Sequence, residues 1–199
     1  MDNTNFIEIS ESAFRNNVDY INKRLNPGTI FSHVVKGNAY GHGIEEYVPM
    51  AVRNGAQHFS VFDAHEAFRV RKVAANVDVM IMGMITESQW EWAIENEVSF
   101  YIFDEIRLAK AIEWAKKIGK KALIHLEIET GMNRSGLEEL SWDPICKLLR
   151  NEKEQLEILG FCTHYGGAEN ISSHGRVLDQ MNKFVTAKII DQDCLLYTL

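Results

Sequence analysis

Apolar residues run along the chain in two alternating rhythms. Short β-branched runs at Ile30–Val35, His58–Val61, Val77–Met82, Val98–Phe103, Ala122–Ile128 and Leu156–Thr163 read as strands. Between them lie longer stretches at helical spacing. Phe14, Val18, Ile21 and Leu25 follow Ser10 and stop at Asn26-Pro27-Gly28, and further helices are predicted at Glu45–Arg53, Ala64–Val73, Glu87–Asn96, Glu105–Ile118, Pro144–Arg150 and from Leu178 to about Ile190. A short strand, Phe6–Ile9, precedes the first helix, and Cys194-Leu195-Leu196-Tyr197 offers the start of one more.

Strands alternating with helices predict successive βα units and a parallel sheet buried on both faces, in a barrel or a doubly wound sheet. Counted from the strand that ends at Lys36, six strands are present, whereas a closed barrel has eight and takes about 250 residues. The α/β fold therefore reads as unfinished. No linker, low-complexity stretch or sequence repeat interrupts it, so residues 1–199 read as one domain.

Charge narrows the partners. A net charge of -7 opposes non-specific attraction to nucleic acid or an anionic membrane, leaving a small molecule as the expected partner. No apolar run approaches the ~20 residues that span a bilayer. The polar, acidic start lacks the basic leader and apolar run of a secretory signal, so a cytoplasmic protein is expected. Cys146, Cys162 and Cys194 are odd in number and form no CxxC pair, so they read as thiols. The histidines show no ligand spacing, so no metal is assigned.

One lysine stands out by position. In Val34-Val35-Lys36-Gly37-Asn38-Ala39-Tyr40-Gly41-His42-Gly43, Lys36 sits where a buried strand gives way to a glycine-rich loop, and in barrels catalytic groups gather at that end of the strands. An amine held there can attack an aldehyde, the first step of Schiff-base formation. Position alone also fits a surface lysine with its apolar stem packed along the strand end.

The ten-residue string resembles the pyridoxal-phosphate attachment motif of the alanine racemase family, with Gly37 where that family usually has alanine. The resemblance implies a PLP-binding TIM-type barrel in which Lys36 carries the cofactor and serves as one of two catalytic bases, and in which Tyr40 contacts the cofactor phosphate. A second segment, His125 to Gly136, is similar to another signature of the same family. It implies that Arg134 reaches the phenolic oxygen of the pyridoxal ring and lies near the substrate carboxylate, a role suited to a rigid fork of donors. Glu127 stands where many members carry a carbamylated lysine that braces this arginine, so it is expected to supply the carboxylate directly. Glu129 stands where aspartate is common. The third segment, Gly160 to Ala168, resembles the family's Thr-His-aromatic turn, which implies that the imidazole of His164 packs against the cofactor ring. Met82, at the end of the third strand, is assigned to the cofactor lining on position alone.

The implied activity is interconversion of L- and D-alanine for cell-wall precursor supply, by a homodimer in full-length relatives. The family's carboxyl-terminal β domain, its opposite-face tyrosine, its Asn-Ser phosphate clamp and its ring-nitrogen arginine have no match here, and from Val185 onward the resemblance ends. Residues 1–199 are thus expected to be the partial amino-terminal barrel of a truncated racemase. The alternatives are a module that holds the cofactor without turnover and an inactive fragment.

Overall fold

The structure is a computed structural model that describes residues 5–195, with side chains described through residue 187. The chain divides into two compact units, Met1–Ile85 and Thr86–Leu199.

In the first unit the order is α1 (Glu11–Asn22), β1 (Ser32–Val34), α2 (Lys36–Tyr40), α3 (Ile44–Arg53), β2 (His58–Val61), α4 (Ala64–Val73) and β3 (Asp78–Ile81). The strands are parallel, with Ser32 opposite His58 and His58 opposite Asp78. Phe59, Val61, Val79 and Ile81 are sealed from solvent, as β-branched and aromatic strand residues covered by helices should be. Asp63 caps α4 by accepting the Glu66 N–H at 2.9 Å, a bond worth about 1 kcal/mol.

The second unit contains a 3-10 turn at Glu87–Gln89, α5 (Trp90–Glu95), β4 (Ser99–Ile102), α6 (Glu105–Ile118), β5 (Ala122–Glu127) and α7 (Trp142–Asn151), then β6 (Leu156–Cys162) and α8 (His174–Leu195). Its strands are again parallel. Along β5 the alternation is regular: Ala122, Ile124 and Leu126 are fully buried, while Leu123 and His125 are half-buried. The β5–β6 register slips between Ile124 and His125, so that Ile124 faces Ile158 but His125 faces Gly160. This bulge sets Glu127 opposite Cys162 at the carboxyl ends of both strands.

Three expectations are corrected. Residues 5–9 form no strand, and Phe6 and Ile7 are exposed; among the described residues no strand pairs with them. Residues 194–195 continue α8 instead of starting a strand, and 196–199 lie outside the described residues. Cys162 is a free thiol, but Cys146 is disulfide-bonded. No helix among the described residues is long and apolar enough to cross a membrane.

The first unit encloses one histidine, His33, and half-buries a second, His58. His33 shares a 3.1 Å hydrogen bond with the Tyr47 hydroxyl inside a cluster of Phe14, Phe31 and Phe59, and burial holds its pKa below the usual 6.5. Burial also lowers His58, against the opposing pull of Asp78. An imidazole that resists protonation only when folded leaves stability intact above 6.5. Below that value the unfolded chain binds the proton first, and stability declines until the folded group titrates. The thermal midpoint should therefore fall as pH drops from about 7 to about 5, and His33→Phe should flatten part of that slope in pH-resolved thermal melts.

Candidate functional site

The carboxyl end of β1 hands the chain into a left-handed turn. Gly37, Asn38, Ala39 and Tyr40 have φ of 61°, 56°, 53° and 54°. For an L residue this conformation drives Cβ toward the next carbonyl at a cost of about 1–2 kcal/mol, so three non-glycine residues in succession need outside partners. They have them. The Ala39 N–H donates to the Val35 carbonyl at 2.8 Å, and the Gly43 N–H to the Asn38 carbonyl at 3.0 Å. The Asn38 N–H donates to the Glu66 carboxylate at 3.1 Å, and the Asn38 side-chain oxygen accepts from the Ile44 N–H at 3.2 Å and from Arg69 at 2.6 Å. Arg69 also grips Glu45 with two guanidinium nitrogens, which pulls the Glu45 carboxyl down to about 2.

Lys36 opens this turn. It is half-buried, and its ammonium makes no hydrogen bond or ion pair among the described residues. Tyr40 closes the turn and is 65% exposed. Met82 follows β3, half-buried, with its N–H on the Val61 carbonyl at 2.9 Å. An uncommitted amine and an accessible phenol on one turn are a donor set that fits an aldehyde and a phosphate. Beside them Gly37 and Gly41 have positive φ, and a Cβ at either would meet open space, so the main chain is approachable there.

The second unit carries the other three sequence-marked residues. Glu127, 4% exposed, ends β5. Burial raises its carboxyl above the usual range, while a hydrogen bond with Ser135 and the charges of Arg134 and Arg107 pull it down. Among the described residues no ion pair joins Glu127 to Arg134, and the outer oxygen Oε2 is buried without a partner. What links Glu127 to Arg134 in this structure is the charge of the guanidinium acting on the carboxyl. Arg134 itself is exposed on a loop whose geometry Glu129 sets, since that carboxylate accepts the N–H groups of both Gly131 and Asn133. Asn133 has φ 54°. The longer glutamate thus caps the turn without breaking it. Gly136 lets the loop close tightly, since a Cβ there would come within 2.6 Å of the Glu129 nitrogen.

His164 is exposed just beyond β6. Its turn is tied to the Arg134 segment by Gln180 of α8, which is 1% exposed. The Gln180 amide nitrogen donates to the His164 carbonyl at 3.0 Å and to the Thr130 hydroxyl at 3.3 Å, and its oxygen accepts the Gly166 N–H at 2.9 Å. Thr130 and Thr163 share a further 2.8 Å bond.

Comparison with known proteins decides the family. A family model described as "Alanine racemase, N-terminal domain" matches residues 9–192. The chain belongs to the alanine racemase family. A curated alanine racemase from Methanococcus maripaludis is 33% identical over 182 residues, covering 90% of this chain and 48% of that protein. Among solved structures, alanine racemase from Streptomyces coelicolor superimposes with a TM-score of 0.85 at 23% identity, over 92% of this chain and 49% of that one. Alanine racemase from Bartonella henselae, solved with covalently bound pyridoxal phosphate, gives 0.77 at 23% identity, over 89% of this chain and 50% of that one. The chain spans about half the length of the curated relatives it matches. Six parallel strands and eight helices are described, and the α/β class of TIM-barrel type read from the sequence stands. The match to residue 192 corrects the expectation that resemblance to the alanine racemases ends at Val185.

Lys36, Tyr40 and Met82 lie in the first unit and Glu127, Arg134 and His164 in the second. Glu66, Gln180 and Arg107 were not marked by any motif. Arg107 is 5% exposed, its guanidinium lies 4.6 Å from the Phe103 ring centre, and burial lowers it to about 10 against the pull of Asp104 and Glu127. A raised carboxyl pKa means that stability is full below 4.5 and is lost as pH rises through the folded value. Glu127→Gln should accordingly raise the thermal midpoint at neutral pH relative to the parent chain, and the difference should vanish below 4.5; melts at both pH values check it.

Proposed function

We propose that this chain forms the cofactor-binding barrel portion of an alanine racemase, with pyridoxal phosphate anchored on Lys36. The observation that carries the reading is the uncommitted ε-amine of Lys36 at a strand end, opening a turn whose strained backbone is held by buried partners. When bound, pyridoxal phosphate supplies an electron sink for the charge left at Cα of an amino acid. The chain's own residues then divide the work. Lys36 Nζ would hold the cofactor through its aldehyde, and its amine would be the base for the Cα proton on one face. The exposed Tyr40 hydroxyl would hold the phosphate. Arg134 would offer a fork of N–H donors to the ring oxygen and the substrate carboxylate, with the Glu127 carboxyl as its negative counterweight. The exposed His164 imidazole would pack against the ring, and half-buried Met82 would supply apolar lining.

The whole protein is proposed to interconvert L- and D-alanine in the cytoplasm as a homodimer, in support of cell-wall precursor supply. Incubation with pyridoxal phosphate should give an absorbance band near ~420 nm, and borohydride should fix the cofactor covalently to the peptide containing Lys36. Lys36→Ala should abolish both. A band that survives in Lys36→Ala, or an adduct mapped to another lysine, sinks the assignment. Alanine racemisation by the loaded protein then separates an enzyme from a module that only holds the cofactor.

A further inference from the structure

Helix α4 sends one carboxylate back across two strand ends. Glu66 is 9% exposed, and each of its oxygens accepts a main-chain hydrogen bond: Oε1 from the Asn38 N–H at 3.1 Å, Oε2 from the Phe62 N–H at 3.0 Å. The first donor lies inside the left-handed turn after Lys36, and the second lies one residue beyond β2. Glu66 rises from the capped first turn of α4, where its own N–H is fixed on Asp63. One turn further along the same helix, Arg69 holds the Asn38 side-chain oxygen. Both the main chain and the side chain of Asn38 are therefore gripped by α4.

The first N–H groups of any helical turn lack a partner within the turn. When such a group is enclosed, the missing acceptor must come from elsewhere, and an ionised carboxylate is the strongest available. Three consecutive L residues at positive φ make that demand sharper, because the chain gains by unwinding if the acceptor is lost. We infer that Glu66 is a positioning residue for Lys36: by holding the Asn38 N–H to the end of β2 it fixes the left-handed turn, and with it the direction in which the ε-amine is delivered. The inference rests on the reading of Lys36 as the cofactor's anchor. Both Glu66 oxygens are committed to main-chain donors, so the group transfers no proton.

Glu66→Gln keeps the volume but turns one acceptor into a donor, leaving either the Asn38 or the Phe62 N–H facing another N–H. Borohydride-trapped pyridoxal phosphate at Lys36, followed by peptide mass spectrometry, should then accumulate about tenfold more slowly than in the parent chain, and amide exchange at Asn38 and Phe62 should quicken. A glycine at position 39 tolerates positive φ without a Cβ penalty, so adding Ala39→Gly to Glu66→Gln should recover most of the trapping rate. General destabilisation would not be repaired by an extra glycine. If Glu66→Gln does not fold by circular dichroism, Glu66→Asp, which keeps the charge but is too short to span both donors, carries the same expectations. Trapping at the parent rate, or a loss that glycine does not relieve, overturns the role of Glu66 while leaving Lys36 as the anchor. A parent chain that traps nothing at Lys36 overturns the anchor itself, and this inference with it.

Discussion

Buried main-chain N–H groups must find acceptors, and at the strand ends of this protein that requirement decides the architecture of the loops that carry the candidate site. Where a parallel strand stops, its ladder stops too, and the loop that follows owns donors with no sheet to pair them. In the first unit the acceptor is Glu66, which takes one donor from each of two neighbouring strand ends. In the second it is Gln180, which serves the Thr130 and His164 segments with both ends of one amide. A carboxylate suits the first place because both groups to be satisfied are donors. An amide suits the second because it faces a carbonyl, a hydroxyl and an N–H together. Each hub sits on a helix that follows its strand, so the aim of the loop side chains is set by how that helix packs.

Much of this was legible in the sequence. The bounds His58–Val61, Ala64–Val73 and Glu105–Ile118 agree with the structure residue for residue, because the two helices open on capping aspartates and the periodicity of each run is unmixed. The left-handed turn at Lys36–Tyr40 was not legible as such. Its glycines announce a loop, but nothing in Asn-Ala-Tyr announces positive φ, since that conformation is imposed by Glu66 and Arg69 from about 30 residues away in the chain. Phe6–Ile9 failed for the opposite reason, in that a local strand rhythm pairs with no strand among the described residues.

The hubs had only a faint local signal. Asp63 and Glu66 stand at the spacing of a capping box, in which the glutamate would turn back to the N–H of the capping residue. Asp63 does cap, but Glu66 instead takes the N–H one residue earlier and that of Asn38. A pattern that usually closes a helix upon itself has been opened to reach a different strand end. Gln180 has no comparable signal, since a glutamine within an amphipathic helix reads as an ordinary solvated side chain until its burial is seen.

The electrostatics of the second unit follow the same logic at greater cost. Glu127 is buried with one oxygen unpartnered and a carboxyl whose proton is held too tightly for its own good as an anion. Arg107 is the mirror case, a guanidinium that burial weakens and that Glu127 and Asp104 support. Neither charge would be tolerated there without the other charges near it, because an isolated buried ion costs several kcal/mol, on the order of the stability of a whole small domain. Replacing the pair with apolar residues of similar volume would be the route to a more stable barrel. Such a barrel would have no negative potential at the end of β5 to counter Arg134. The cluster is better understood as stability given up at the strand end so that the exposed Arg134 has a fixed field around it, the arrangement that the proposed recognition of a carboxylate by this loop would use.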